Sequence, residues 1–412
     1  MSDAFILGGV RTPFGKYGGS LSHIRTDDLL GRTMAAACER VGVPLDRIED
    51  ITGGCVNTAH EGMGDIARWG ALAAGFPDSV PAVTVNRFCA SSLSGAINVA
   101  HAIRSDELDV GIAAGVESMS RSGWAQMKGD APFSPRGPVL LLDTMWAGAG
   151  GPPNPVLLAR NAYVEMIKTA QNVADRYDLT REEIDAFALR SHHRAAAARD
   201  SGRLALEIHP VEIPGTKKEP GRTFQHDEGI RGDTTAEQLA KLAPQPNTTQ
   251  MTAGNSSALN DGASAVILAS GTAAESLGVA PLARIVASAT HALDPQFMGI
   301  APAFAIAKAL QRARLSPTEI DVWEVHEAFS AQALGVLREL SHQLDGFEVP
   351  DDRLNPNGGA VAIGHPFGAS GTRYVLTLAT ELRLRQARYG VLGVCVGSGQ
   401  GVALVVENVG GR

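Results

Sequence analysis

The chain has 412 residues, 44% apolar, 19% charged and 5% aromatic, the balance of a folded α/β protein with room for more than one packed unit and not that of a disordered segment. Against 36 Lys and Arg stand 44 Asp and Glu, a net charge of −8, and with no long basic run the pattern excludes a nucleic-acid backbone as partner. Cys38, Cys55, Cys89 and Cys395 have neither metal-ligand spacing nor the density of a disulfide framework, so no metal site and a reducing, cytoplasmic setting are expected.

In chain order, the N-terminal MSDAFILGGVRTPFG opens as a strand and lacks the basic region and long apolar core of a secretory signal. Leu29 to Val41 carries apolar residues at three-and-four spacing and reads as a helix. AVTVN leads as a strand into Cys89, Ser94 to Ile103 reads as a helix and DVGIAAGV as a strand. From Ser122 to Thr252 the character changes: Pro and Gly cluster at 131–155, charges rise, and only 155–201 reads as helical. A segment of that length suggests an inserted domain that covers a ligand site. ASAVILAS and LARIVASAT are strands, Pro302 to Ala313 and Ser330 to Leu340 helices, and Val391 to Val406 two strands around a glycine turn, too interrupted to span a bilayer. Strands apolar nearly throughout, alternating with helices, predict parallel sheets covered on both faces.

The chain also repeats. Residues 37–51, ACERVGVPLDRIEDI, align without gaps on 309–323, ALQRARLSPTEIDVW, and 109–118 align more loosely on 389–398. Two equivalent halves are the economical reading.

Cys89 falls at a strand-to-helix turn, where unpaired N–H groups and the helix dipole lower a thiol's pKa and cradle an oxyanion; a buried cysteine acting as a small hydrophobe is the alternative. His365 lies in NPNGGAVAIGHPFGASGTR, a glycine-dense frame that lets backbone approach a substrate and suits a base or oxyanion donor. Cys395 ends a strand before a GSGQG turn, and His326 with Glu327 ends a strand in WEVHEAFSAQAL. A zincin motif fails, because Ser330 stands where its second histidine would be.

Together these segments resemble the thiolase family. VNRFCASSL matches the nucleophile block, and GVESMS, NSSALNDGASAVIL, VHEAF, NGGAVAIGHPFGASGTR and CVGSGQG match further blocks in the family's order, over essentially the whole chain. The resemblance implies a five-layered α-β-α-β-α fold from two βαβαβαββ halves, the first spanning 1–121 and 253–282, the second 283–412, with a coenzyme A-binding loop domain at 122–252. It implies an acetyl-CoA acyltransferase that cleaves 3-ketoacyl-CoA with coenzyme A or condenses acetyl-CoA. Cys89 would take the acyl group, His365 would activate it and help hold a thioester oxygen, and Cys395 would move the α-carbon proton. The N–H groups of Cys89 and Gly397 would form one oxyanion hole. His326, where many members carry Asn, would serve the other, with Glu327 fixing its segment. For coenzyme A, Ser257 would touch the pantetheine and Arg231 the nucleotide end, while Met166 would line the acyl pocket. Coenzyme A and acyl-CoA thioesters would be substrates, with no permanently bound cofactor. A homodimer or homotetramer is implied, and the His326 variant resembles thiolase subunits of β-oxidation complexes, which have a hydratase/dehydrogenase partner. The chain departs from the commonest pattern at Ser92, Phe367 and Ser398. A silent acyl-CoA-binding subunit, a condensing enzyme of the same superfamily and a cysteine hydrolase are the alternatives; retention of Cys89, His365 and Cys395 speaks against the first.

Overall fold

The computed structural model describes residues 2–126, 141–144, 154–215 and 220–410; most of the Pro- and Gly-rich stretch 131–155 lies outside them. The first half places strands β1 (Ala4–Arg11), β2 (Asp50–Gly54), β3 (Ala82–Val85), β4 (Val110–Ser118) and β5 (Asn260–Ser270) around helices α1 (Thr26–Val41), α2 (Ile66–Ala73) and α3 (Ser91–Arg104). Between β4 and β5 the chain makes an excursion whose main helices are α4 (Met166–Arg176) and α5 (Arg181–Asp200). The second half has β6 (Ala283–Ala292), α6 (Ala301–Ala313), β7 (Ile320–Val325), α7 (Ser330–Gln343), α8 (Ser370–Arg385), β8 (Tyr389–Val396) and β9 (Gln400–Asn408).

The strands run in the order β7-β8-β9-β6-β1-β5-β4-β2-β3, and the strands of the two halves are joined where Phe5 and Ile6 pair with Arg284 and Ala283. Each strand alternates its side chains between two cores. On β9, Val402, Leu404 and Val406 face a central layer built from α3 and α8, while Ala403 and Val405 face α6 and α7 on the outside. In the first half, Ile112, Ala114 and Val116 of β4 face α1 and α2, and Ala113 faces the centre. The result is five layers, α-β-α-β-α, and it explains why the strands are apolar on both faces.

The sheets are mixed where purely parallel ones were expected. β2 runs parallel to β3 and β4, and β7 parallel to β8, but β5 and β9 pair antiparallel with their neighbours. A strand that returns through a tight turn, as β9 does after Gly397–Gly399, can only pair antiparallel. The aligned segments 37–51 and 309–323 fold alike: each closes a helix on a left-handed residue, Gly42 or Arg314, passes a 3-10 turn and enters a parallel strand. The second half does not repeat the third strand of the first. A single bridge of Trp323 to Leu354 stands in its place, because Asn355 turns left-handed at φ 43° and Pro356 follows. The Asn355 side chain takes over the missing strand's bonds, accepting the Val325 N–H and donating to the Val325 carbonyl, both at 2.8 Å.

Three close approaches bring the halves together. A side chain on Gly115 of β4 would strike the Gly368 carbonyl at 2.1 Å, and one on Gly371 of α8 the Leu93 nitrogen of α3 at 2.1 Å. The Gly368 N–H donates at 2.9 Å to Glu117, which also accepts from Val56 and Asn57. The excursion packs onto this junction, with Ala195, Ala196 and Ala198 of α5 against Phe14, Ala362 and Ile363. Arg11 of β1, fully buried, grips Asp227 with two bonds of 2.7 and 2.9 Å and Glu207 at 3.1 Å. Removing one partner of such a group would leave an uncompensated buried charge.

Candidate active site

Cys89 follows β3, His326 follows β7 and Cys395 lies on the last turn of β8, so three of the groups come from carboxyl ends of strands, and His365 is delivered by the glycine-rich loop wedged against β4. The Cys89 loop is held by Ser91, whose hydroxyl accepts the Arg87 N–H at 2.9 Å and donates to the Phe88 carbonyl at 2.7 Å. Phe88 is thereby held at φ 44°, a sparsely populated conformation that persists only where surroundings over-determine it.

The backbone N–H groups of Gly397 and of Cys89 itself face the Cys89 sulfur and favour its thiolate. A thiol pKa lowered by the helix terminus was expected, and the structure reverses the direction: burial pushes Cys89 up to about 12, with Glu117 adding to the rise, and the two N–H groups offset only part of it. Cys395 is close enough to Cys89 to feel its charge. Burial first, then Cys89, hold its thiol well above the usual range, opposed by the N–H groups of Cys395 and Ala328. The His326 N–H donates to Gly393 on the strand of Cys395 at 2.9 Å.

The two imidazoles touch. His326 Nε2 lies 3.3 Å from His365 Nε2, with ring centroids 4.2 Å apart at 60°. His365 Nδ1 is 2.6 Å from the Ser370 hydroxyl, and its backbone N–H donates to Asn260 at 2.9 Å. Burial, reinforced by Arg373, lowers His365 to about 3; burial, then His365 and Arg373, hold His326 well below the histidine range. At neutral pH the resting cluster is therefore two thiols and two neutral imidazoles, and charge arises only when a substrate moves a proton.

His326 does not cap the following helix: α7 begins at Ser330, with Phe329 as its N-cap, and the free N–H of Ala328 is taken by Gln332 at 3.0 Å. Glu327 fixes the segment as expected, bonding Ser191 at 2.6 Å and Asn355 at 2.7 Å. Met166 opens α4, and a methyl group on Gly397 would stand 3.8 Å from its sulfur and 3.6 Å from the Phe88 ring. Ser257 donates its backbone N–H to Ala328, two residues beyond His326, at 2.9 Å. Arg231 is not tied to this group: its backbone N–H donates to His192 at 3.3 Å, and its exposed guanidinium has no bonded partner among the described residues. Ser92 bonds the Thr372 N–H at 3.1 Å and so links α3 to α8, Phe367 packs edge-on to His365 at 5.0 Å, and Ser398 takes φ 63°. Tyr374, Ser370, Asn260 and Glu117, which hold the site in place, were not singled out from sequence, although the last three lie in blocks that carry the resemblance. Among the described residues no group of three or more His, Cys, Asp or Glu could hold a metal ion, and no helix is long and apolar enough to cross a membrane.

A thiol facing two backbone N–H groups, a second thiol near enough to feel its charge and a neutral imidazole pair docked on the second thiol's strand, at the seam of a duplicated five-layer fold, are the groups of an acyl-transfer site. The chain matches the family models for the thiolase N-terminal domain over residues 4–272 and the thiolase C-terminal domain over 279–408. It is 43% identical to the 3-oxoadipyl-CoA/3-oxo-5,6-dehydrosuberyl-CoA thiolase of Escherichia coli K12, over 99% of this chain and 100% of that one. With the β-ketoadipyl-CoA thiolase of Pseudomonas aeruginosa it shares 44%, over 99% of both. The crystal structure of human mitochondrial 3-ketoacyl-CoA thiolase, 35% identical over 99% of both chains, superposes with a TM-score of 0.89. The chain belongs to the thiolase family and is one of its CoA-dependent acyltransferases.

Proposed function

We propose that the protein cleaves 3-ketoacyl-CoA with coenzyme A to acetyl-CoA and a shortened acyl-CoA, and runs the reverse condensation, through an acyl group on Cys89. The observation that carries this reading is the pair of thiols, Cys89 facing two N–H donors and the buried Cys395 near enough to feel its charge. His365 takes the Cys89 proton; the thiolate attacks the 3-keto carbon, whose oxygen gathers charge against the N–H groups of Cys89 and Gly397. The C2–C3 bond breaks, its electron pair forms the acetyl-CoA enolate held by His326 and His365, and Cys395 gives the proton to C2. Coenzyme A then enters as second substrate, gives its thiol proton to Cys395 and takes the acyl group, and the Cys89 thiolate released as that bond breaks recovers its proton from His365. Every proton is returned and no resident cofactor is called for.

Phe88, Phe367 and Met166 support an apolar acyl chain. The relatives' names favour a second reading, an acyl chain that ends in a carboxylate. Steady-state thiolysis over acetoacetyl-CoA, 3-ketoacyl-CoA of rising length and 3-oxoadipyl-CoA separates them: kcat/KM should rise with neutral chain length. A preference of more than about 200-fold for 3-oxoadipyl-CoA over the neutral chain of equal length, beyond what one methylene is worth in a pocket, overturns the first reading.

The enolate role of His326 has its own test. Removing one preorganised donor costs about 10²–10³ in kcat, so His326→Ala should lose that much while Cys89 is still acylated, and His326→Asn should retain more. A lower melting temperature with unchanged kcat would make His326 structural. At the coenzyme A end, Arg231 is assigned to the nucleotide phosphates, which a guanidinium binds by charge and paired donors. Arg231→Ala should raise KM for coenzyme A several-fold and flatten its salt dependence; no change in either removes Arg231 from the site.

A further inference from the structure

Tyr374 lies on the second turn of α8, with no exposed surface. Its hydroxyl is 3.2 Å from His326 Nδ1, and the two rings stand edge to face at 89° with centroids 5.4 Å apart. The backbone N–H of Glu327 faces the same hydroxyl and favours negative charge on it, and the guanidinium of Arg373 sits 3.8 Å over the phenol ring. An amide can only donate, so among the described residues the phenol proton has one acceptor, His326 Nδ1. A buried hydroxyl proton without an acceptor carries the full desolvation penalty.

That single constraint orders the whole chain. With its Nδ1 accepting from Tyr374, neutral His326 must carry its proton on Nε2, which then faces the lone pair of His365 Nε2. His365 in turn holds its proton on Nδ1 and donates it to Ser370, whose own hydroxyl is free to donate to the Pro366 carbonyl at 2.9 Å. Every group is satisfied in this direction. In the opposite one the phenol proton has nowhere to go.

We infer that Tyr374 is a positioning residue that sets the tautomer of His326, so that its Nε2–H is presented as the oxyanion donor while His365 Nε2 is kept unprotonated to receive the Cys89 proton. The other tautomer would turn two nitrogen lone pairs towards each other and towards a developing oxyanion. This inference rests on the enolate role proposed for His326 and adds the group that enforces it.

The test uses Tyr374→Phe, which keeps the ring under Arg373, alone and combined with His326→Asn, together with nitrogen NMR of histidine-labelled protein. In the wild type, His326 should show a protonated Nε2 and an unprotonated Nδ1; the reverse pattern overturns the inference without any variant. Tyr374→Phe should shift those resonances towards a tautomer mixture and lower kcat about tenfold, the bias one hydrogen bond sustains, with KM little changed. In the His326→Asn background the same substitution should have no further effect, because a carboxamide has no tautomer to set. Unchanged nitrogen shifts in Tyr374→Phe, or an equal loss of kcat in both backgrounds, would show that the phenol only packs. If instead His326→Ala leaves kcat intact, the enolate role fails, while the nitrogen shifts still decide what Tyr374 does.

Discussion

Cys89→Ala should form no acyl adduct when incubated with acyl-CoA and should lose turnover by about 10⁴-fold or more, since the covalent path disappears while binding and the oxyanion donors remain. Intact-mass measurement of the wild type should show one acyl group, mapped to Cys89. The loss comes from chemistry, not from folding: Cys89 is only partly buried, and its loop is held by Ser91 and not by the thiol. A pH signature accompanies it. Because burial pushes the resting thiol up to about 12, its thiolate fraction keeps growing through the alkaline range, so alkylation should go on accelerating beyond about pH 10, where a thiol of ordinary pKa near 8.5 has levelled off. Acylation at another residue, or alkylation that levels off by about pH 10, would overturn the assignment or the electrostatics respectively.

Cys395→Ala should separate the two half-reactions. Its thiol bonds no substrate acyl carbon in the proposed sequence and serves only to carry the proton to and from C2 and coenzyme A. General acid–base catalysis contributes about 10²–10⁴-fold, so exchange of the acetyl-CoA methyl protons with solvent should fall by that order, while acylation of Cys89, in which coenzyme A can depart as a thiolate without a proton from Cys395, is slowed far less. The substitution removes a sulfur from a small apolar cluster of Met298 and Ala328, a modest cavity, and the fold should survive it. Loss of both half-reactions by the same factor, with the fold intact, would make Cys395 a packing residue.

Much of the site was legible before any coordinates because its parts are written in contiguous blocks. A cysteine after a strand, a histidine among glycines and a cysteine before a glycine turn are local patterns, and each local pattern corresponds to a local backbone shape. The repeat of 37–51 in 309–323 was visible for the same reason: helix end, turn and strand start are encoded within fifteen positions. Tyr374 was not legible. It sits on a helix, four residues beyond Ser370, with nothing in its neighbours to set it apart from a core aromatic, and its meaning depends on His326 standing 48 positions away in sequence. The side chain that stands in for a third strand in the second half was not legible on similar grounds, since only the tertiary setting shows Asn355 bonding Val325 as a strand would.

The sequence by itself determined the elements, the duplication and which thiols and imidazoles enter the proposed acyl transfer, because apolar periodicity and turn residues act over a few positions. Only the tertiary structure decided the charge state and direction of the site. Desolvation depends on what surrounds a group from all sides, which is why a helix terminus expected to lower the Cys89 pKa is outweighed by burial. Likewise the order of protons along Tyr374, His326, His365 and Ser370 is a property of four side chains meeting where two halves close, and no one segment contains it.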